Sequence, residues 1–132
     1  MERPEILLDS ICLDCTWEQV PAMLDFYSRL LGYEAQDPDD GVPMVTGPHI
    51  TISFQPLNAY LPPTWPTETR GQQSHLDLYV TDLEAAVAFA RSLGARDAPA
   101  QFGHTWFVML DPAGHPFCLT LNGPLLKQNR RD

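Results

Sequence analysis

The stretch HLDLYVTDLEAA, residues 75–86, decides the fold of this 132-residue chain. From His75 to Val80 apolar side chains alternate with more polar ones, which predicts a strand with one apolar and one polar face. Thr81 and Glu84 then have the spacing of a capping box, whose hydroxyl and carboxylate pair with amide groups of the first helical turn. The stretch therefore predicts a strand that leads directly into a helix.

The predicted helix has one apolar stripe. Its apolar residues recur at spacings of three and four: Leu83, Ala86, Val87, Ala90 and Leu93. Gly94 comes next, and glycine suits the left-handed backbone just beyond a helix end. We therefore expect the helix to end there.

The same pattern occurs once earlier in the chain. Ser10–Thr16 alternates in the same way and leads into a second apolar stripe that ends at Gly32. Pro21 would break a helix that had begun at Trp17, so we expect this helix to begin near Val20. The two copies are offset by about 62 to 65 positions, which nearly halves the chain and indicates an internal duplication.

Short strands are predicted after each helix. The candidates are Tyr33–Gln36, Val42–Thr46 and His49–Gln55 in the first copy, and Ala95–Ala98, Thr105–Leu110 and Pro116–Leu121 in the second. Asp111–Gly114 reads DPAG, a tight-turn sequence that predicts a hairpin between the last two strands and leaves His115 exposed to solvent. Each half thus reads βαβββ.

We expect one domain over residues 1–132. It divides into a first module (6–57), a proline-rich crossing segment (58–74), a second module (75–122) and a polar, frayed tail (123–132). Tyr60 and Trp65 in the crossing segment have two open interpretations, an aromatic lid over a pocket or a cover for a sheet edge.

Composition excludes several classes of function. Seventeen acidic residues against eight basic ones give a net charge of −9, which disfavours nucleic acid and anionic membranes as partners. No apolar run approaches the roughly 20 residues that span a bilayer, so we expect a cytoplasmic protein. Cys12, Cys15 and Cys118 have no disulfide framework spacing, and we interpret them as reduced thiols.

The order of these motifs resembles the vicinal oxygen chelate (VOC) superfamily, which includes glyoxalase I, extradiol dioxygenases and bleomycin-resistance proteins. The resemblance rests on the paired modules, on Phe26-Tyr27 followed by Leu31-Gly32, and on Asp111–Gly114 before a final apolar strand. Residues 75–86 are similar to the glyoxalase-like branch in particular. The resemblance implies an α+β fold of two tandem βαβββ modules, with curved sheets around a central cavity, and a homodimer.

The resemblance also implies where a metal would bind. Superfamily enzymes take ligands from the first and last strand of each module, and those positions fall here on Ser10, on Ser53 or Gln55, on His75 and on Cys118. Ser10 is a poor ligand for a divalent ion. A metal site (Zn, Fe, Mn, Ni or Co) would therefore consist of His75, Gln55 and Cys118.

Two functions follow from this ligand set, and a third stays open. The first is a small-molecule binder without a typical metal site or cofactor, whose ligand carries a cation or hydroxyl groups because Asp14 and Asp77 face inward. Its predicted cavity face consists of Cys12, Asp14, Ser53, Gln55, His75, Asp77, Tyr79, Cys118 and Thr120. The alternative is a metal-dependent lyase, isomerase or dioxygenase of the glyoxalase type, and the third is a structural or regulatory module with a vestigial cavity.

Asp77 has an open role in this site. It lies two positions from His75, on the same side of the strand and roughly 7 Å along it. That spacing is long for a direct hydrogen bond, so Asp77 either orients the imidazole or contributes a carboxylate of its own. The alternative for His75 is a histidine hydrogen-bonded inside a polar pocket.

Overall fold

The computed structural model describes residues 1–122, so the predicted polar tail lies outside the described residues. The chain divides into two compact units, Met1–Tyr60 and Leu61–Asp132. Each unit has one four-stranded mixed sheet and one α-helix, which confirms the predicted α+β class. In the described part of the chain, no helix has the length and apolar character needed to cross a membrane.

The first unit has the order βαβββ. Its elements are β1 (Ser10–Thr16), a 3₁₀ turn (Trp17–Gln19), α1 (Val20–Leu31), β2 (Glu34–Gln36), β3 (Met44–Thr46) and β4 (Thr51–Leu57). The strand order is β1-β4-β3-β2, with β1 parallel to β4 and the other pairs antiparallel. The predicted strand Ser10–Thr16 is confirmed at both ends.

Helix α1 begins at Val20 because the preceding residues form a separate capped turn. The backbone amide of Gln19 donates to Oγ1 of Thr16 at 3.2 Å, and the amide of Thr16 donates to Oε1 of Gln19 at 2.8 Å. Pro21 then falls in the first turn of α1, where a missing amide costs no helical hydrogen bond. The predicted late start of this helix is confirmed, and so is its end at Gly32, which has φ 69°.

The core of the first unit lies between α1 and the sheet. Met23, Phe26 and Tyr27 of α1 are completely buried, as are Phe54 of β4 and Cys15 of β1. The rings of Tyr27 and Phe54 stack with centroids 5.9 Å apart. Burial of each such side chain stabilises the unit by about 2 kcal/mol, so this contact fixes the helix against the sheet.

The second unit repeats the arrangement. Its elements are β5 (Leu76–Tyr79), α2 (Leu83–Ser92), β6 (Arg96–Asp97), β7 (Trp106–Leu110) and β8 (Pro116–Thr120). The strand order is β5-β8-β7-β6, again with the first strand of the module parallel to the last. The predicted repeat of the βαβββ module is confirmed, because each strand of one sheet has a counterpart at the same place in the other.

The cap of α2 differs from the sequence prediction. Asp82, and not Thr81, is the N-cap residue: its carboxylate accepts a hydrogen bond from the amide of Ala85 at 3.0 Å. The prediction of a capping box at Thr81 and Glu84 is therefore wrong, and the N-cap lies one residue later. A carboxylate also interacts favourably with the positive end of the helix dipole, which explains the preference for Asp82.

The turn between β7 and β8 is organised by a buried carboxylate. Asp111 is completely buried, and its Oδ1 accepts hydrogen bonds from the amides of Ala113 at 2.9 Å and His115 at 3.0 Å. Gly114 has φ 90°, a conformation that favours glycine. The predicted hairpin is confirmed, but His115 is half-buried rather than solvent-exposed because its backbone is drawn into this turn.

The proline-rich segment after residue 60 belongs to the compact second unit. Pro62 lies against Gly114, where an added Cβ would come within 2.8 Å of the proline ring. Trp65 packs edge-on against Phe102, with ring centroids 5.6 Å apart. This segment is thus anchored at two points, and Trp65 covers a loop of its own unit. The two interpretations of Tyr60 and Trp65, as an aromatic lid over a pocket or as a cover for a sheet edge, remain predictions.

Candidate functional site

The polar face of the second sheet brings His75, Asp77 and Cys118 together. His75 directly precedes β5, Asp77 lies in β5, and Cys118 lies opposite Asp77 in β8. The nitrogen, oxygen and sulfur atoms that they offer all lie within 4.8 Å of one another. Alternation along β5 and the β5–β8 register together produce this cluster, which we call the His75 cluster.

His75 and Asp77 form a direct polar contact. Nε2 of His75 lies 3.1 Å from Oδ1 of Asp77, and 40% and 62% of the two side chains are exposed. The expectation that their spacing is too long for a hydrogen bond is wrong. The two residues are separated by two positions along the chain, and the contact is made through Nε2, the ring nitrogen farther from the backbone.

The Cys118 thiol is held in its protonated form. Its side chain is half-buried, and this burial, the negative charge of Asp77 and a hydrogen bond with Asp77 raise the pKa of the thiol to about 11. At neutral pH the thiol is therefore uncharged. Asp77 consequently interacts with a ring nitrogen on one side and with a thiol on the other.

Tyr79 and Thr120 extend this polar face. They are partners in the β5–β8 register, two residues beyond Asp77 and Cys118 and therefore on the same face. Tyr79 is half-buried and Thr120 is buried, with its Oγ1 accepting a hydrogen bond from the Asn122 amide at 3.0 Å. The predicted site residues of the second module thus share one face of one sheet.

The predicted site residues of the first module share a face of the other sheet. Cys12 pairs with Ser53 and Asp14 pairs with Gln55 across the parallel β1–β4 ladder. Ser53 is buried, whereas the other three are exposed. Ser10, the remaining position implied by the resemblance, is half-buried at the start of β1.

The cysteines of the first module do not form a joint site. Cys12 is exposed and Cys15 is completely buried, because positions three apart in a strand point to opposite faces. The cysteines among residues 1–122 are reduced thiols.

Asp77 belongs more directly to the set of donor atoms in the His75 cluster than the sequence analysis predicted. The ligand set implied by the resemblance pairs His75 and Cys118 with Gln55, which belongs to the first unit. In the second unit the structure places the carboxylate of Asp77 beside both of them. The sequence feature that could have predicted this placement is the strand alternation, which puts His75 and Asp77 on the same face.

Comparison with known proteins decides the family. The model of the family described as "Glyoxalase-like domain" matches residues 10–120. The chain belongs to the glyoxalase-like domain family. Its place in the VOC superfamily, expected from the motifs, is thereby confirmed. A search of curated protein sequences found no match to this glyoxalase-like chain.

Solved structures share the fold of this glyoxalase-like protein. A glyoxalase family protein from Enterococcus faecalis is 18% identical, with a TM-score of 0.63, over 86% of this chain and 96% of that one. A mutant of the fosfomycin resistance protein FosX from Listeria monocytogenes, complexed with Mn(II) and 1S,2S-dihydroxypropylphosphonic acid, is 12% identical. Its TM-score is 0.65, over 95% of this chain and 97% of that one. At these identities the likeness shows the two-module fold.

Proposed function

We propose that this glyoxalase-like protein binds a small molecule and that the His75 cluster is its polar anchor. Binding in this proposal requires no divalent metal. The ligand carries hydroxyl groups or a cationic group, since the accessible charge of the cluster is the carboxylate of Asp77. The observation that carries the proposal is the 3.1 Å contact between His75 and Asp77.

This contact prepares both side chains for a ligand. A neutral imidazole has one N–H group, and donation from Nε2 to Asp77 leaves Nδ1 as an acceptor for a ligand hydroxyl. Asp77 is exposed enough to accept a further hydrogen bond. A carboxylate of this kind also binds an ammonium group through a charge-assisted hydrogen bond.

A thermal-shift screen with EDTA present tests the proposal. The panel contains polyhydroxyl compounds, small organic amines and, as the opposite charge, small carboxylates. We expect a polyhydroxyl or amine compound to raise the melting temperature by about 2 °C or more at millimolar concentration, because a ligand bound to the native state stabilises it. Asp77→Asn and His75→Gln should abolish this rise, while Asp25→Asn on α1 should preserve it. A screen in which neither class raises the melting temperature contradicts the proposal.

A second candidate function is metal-dependent chemistry, favoured by the convergence of the three donor atoms within 4.8 Å. A nitrogen, an oxygen and a sulfur donor fit zinc better than manganese, because thiolate is a soft ligand. His75, Asp77 and Cys118 would hold the ion, which would supply Lewis-acid polarisation of substrate oxygens. The FosX mutant that shares this fold is complexed with Mn(II), which supports metal-dependent chemistry as the second candidate.

Metal analysis separates the two candidates. Protein purified without chelator should contain less than about 0.1 equivalent of Zn, Fe, Mn, Ni or Co if binding is metal-free. Near-stoichiometric zinc that is lost in Cys118→Ser and retained in Cys12→Ser would instead support the metal-dependent function. Cys12→Ser is the matched control because Cys12 also lies in a strand, β1, on a face that it shares with an aspartate, Asp14.

A further inference from the structure

The first unit contains a second candidate site, independent of the His75 cluster. A pocket of about 540 Å³ lies between the 3₁₀ turn, the start of α1, the loop between β2 and β3, and the end of β4. That volume is within the range of small-molecule sites. All residues that line it belong to Met1–Tyr60. We call it the Trp17 pocket.

The wall of this pocket combines apolar surface with nearly as much polar surface, and its apolar part is rich in proline. It includes four prolines, namely Pro21, Pro38, Pro43 and Pro56. Proline fixes its own backbone, so a ligand entering here orders little protein on binding. The side-chain amide of Gln55 adds a hydrogen-bond donor and acceptor to the wall.

Trp17 provides an aromatic surface that is already positioned. Its side chain lines the pocket although the residue is 63% exposed, an unusual exposure for tryptophan. The indole Nε1 donates to Oδ1 of Asn58 at 3.1 Å, and the reciprocal hydrogen bonds of Thr16 and Gln19 fix the turn that carries it. The polar group of the indole is thus satisfied by the protein, and the ring is held for contact with a ligand.

The charge of the pocket determines what it can hold. Asp37 and Asp39 line it, and among its described lining residues there is no Lys, Arg or His. The whole chain, including these two residues, has a net charge of −9. An anionic ligand is therefore repelled, whereas a cation is attracted by the carboxylates and by the face of an indole ring.

We propose that the Trp17 pocket binds a small organic cation with an aromatic or other apolar body, such as an aryl-substituted ammonium compound. The apolar body contacts the proline wall and Trp17, and the ammonium group lies toward Asp37 and Asp39. This proposal goes beyond the proposed function, because it uses a different unit and different residues.

Titrations by two-dimensional NMR test the proposal, with benzyltrimethylammonium as the probe. Benzyl alcohol, tetramethylammonium and phenylacetate are the controls that lack the charge, lack the aryl group or reverse the charge. We expect the Trp17 indole signal, assigned by its loss in Trp17→Phe, to shift and saturate with benzyltrimethylammonium at about millimolar concentration. The three controls should bind at least about fivefold more weakly. Added salt should lower the affinity for the probe, because salt screens the charges of the carboxylates.

Matched variants locate the binding. In Asp37→Asn/Asp39→Asn we expect affinity for the probe to fall about tenfold, as removal of two nearby charges predicts. Asp9→Asn/Glu34→Gln changes the net charge equally outside the pocket lining and should leave the affinity within about twofold. For Trp17→Ala, binding is followed through the amide signal of Val42. This variant should lower the affinity for the probe by at least about fivefold, whereas Phe89→Ala on α2 should leave the affinity unchanged.

Three outcomes would overturn the proposal. The first is no saturable shift with benzyltrimethylammonium up to about 20 mM. The second is equal binding of phenylacetate, and the third is equal weakening by the two charge-neutralising double variants. His75→Gln serves as the cross-control, since it should abolish binding at the His75 cluster and leave the Trp17 pocket unaffected. The two proposals can therefore fail separately.

Discussion

The protonation state of Cys118 depends on burial and on one neighbouring carboxylate, that of Asp77. Burial is the largest cause of its raised pKa, but the carboxylate of Asp77 adds both a negative charge and a hydrogen bond. Each of these disfavours the thiolate, because a second negative charge would form beside the first. A soft cation bound here would have the opposite effect and would favour the thiolate.

We predict that Asp77→Asn lowers the pKa of the Cys118 thiol from about 11 toward its ordinary value of 9.0 without reaching it, since burial remains. Thiolate reactivity should then begin at lower pH. The measurement is the pH dependence of iodoacetamide alkylation in a Cys12→Ser background, in which Cys15 is completely buried. Asp14→Asn is the control and should leave the profile unchanged. An identical profile in Asp77→Asn would show that Asp77 does not interact with the thiol.

The start of α2 is the clearest correction at the level of an element. Thr81 and Asp82 are both good N-cap residue types, and the spacing to Glu84 favoured Thr81 in the sequence. The structure selects Asp82. The choice depends on which residue keeps an extended backbone, and Asp82 has φ −133° and ψ 102°.

Asp82→Ala should therefore lower the free energy of unfolding by about 1 kcal/mol, while Thr81→Ala should lower it by less than about half that amount. Urea denaturation of the two variants measures both values. The opposite ranking would restore the predicted capping box at Thr81.

Element types were predictable here because local patterns and tertiary structure agree. Alternation in Ser10–Thr16, the position of Pro21 and glycines at the helix ends each determine a boundary through backbone chemistry alone. The His75–Asp77 contact was not predictable, since it depends on side-chain torsions that a strand spacing of roughly 7 Å does not determine. The Trp17 pocket was missed because it joins a turn, a loop and a strand end that are distant in sequence.

At the scale of the whole molecule, charge and exposed apolar surface oppose each other. The net charge of −9 makes copies of the chain repel one another, and salt weakens that repulsion. Ile6, Leu7 and Leu8, which precede β1, are 65%, 77% and 77% exposed. Their burial against a second copy would favour association through the hydrophobic effect.

We therefore retain the homodimer implied by the family resemblance as a prediction, with Ile6, Leu7 and Leu8 in its interface. Size-exclusion chromatography with light scattering at about 0.3 M salt should give twice the 14.8 kDa chain mass, and the dimer fraction should fall at low salt as repulsion grows. Leu7→Ser/Leu8→Ser should shift the population toward the monomer, because it removes apolar surface without changing charge. Phe89→Ser also replaces an exposed apolar residue by serine, on α2, and it should leave the fraction of dimer unchanged. A 14.8 kDa species at every salt concentration would disprove the dimer.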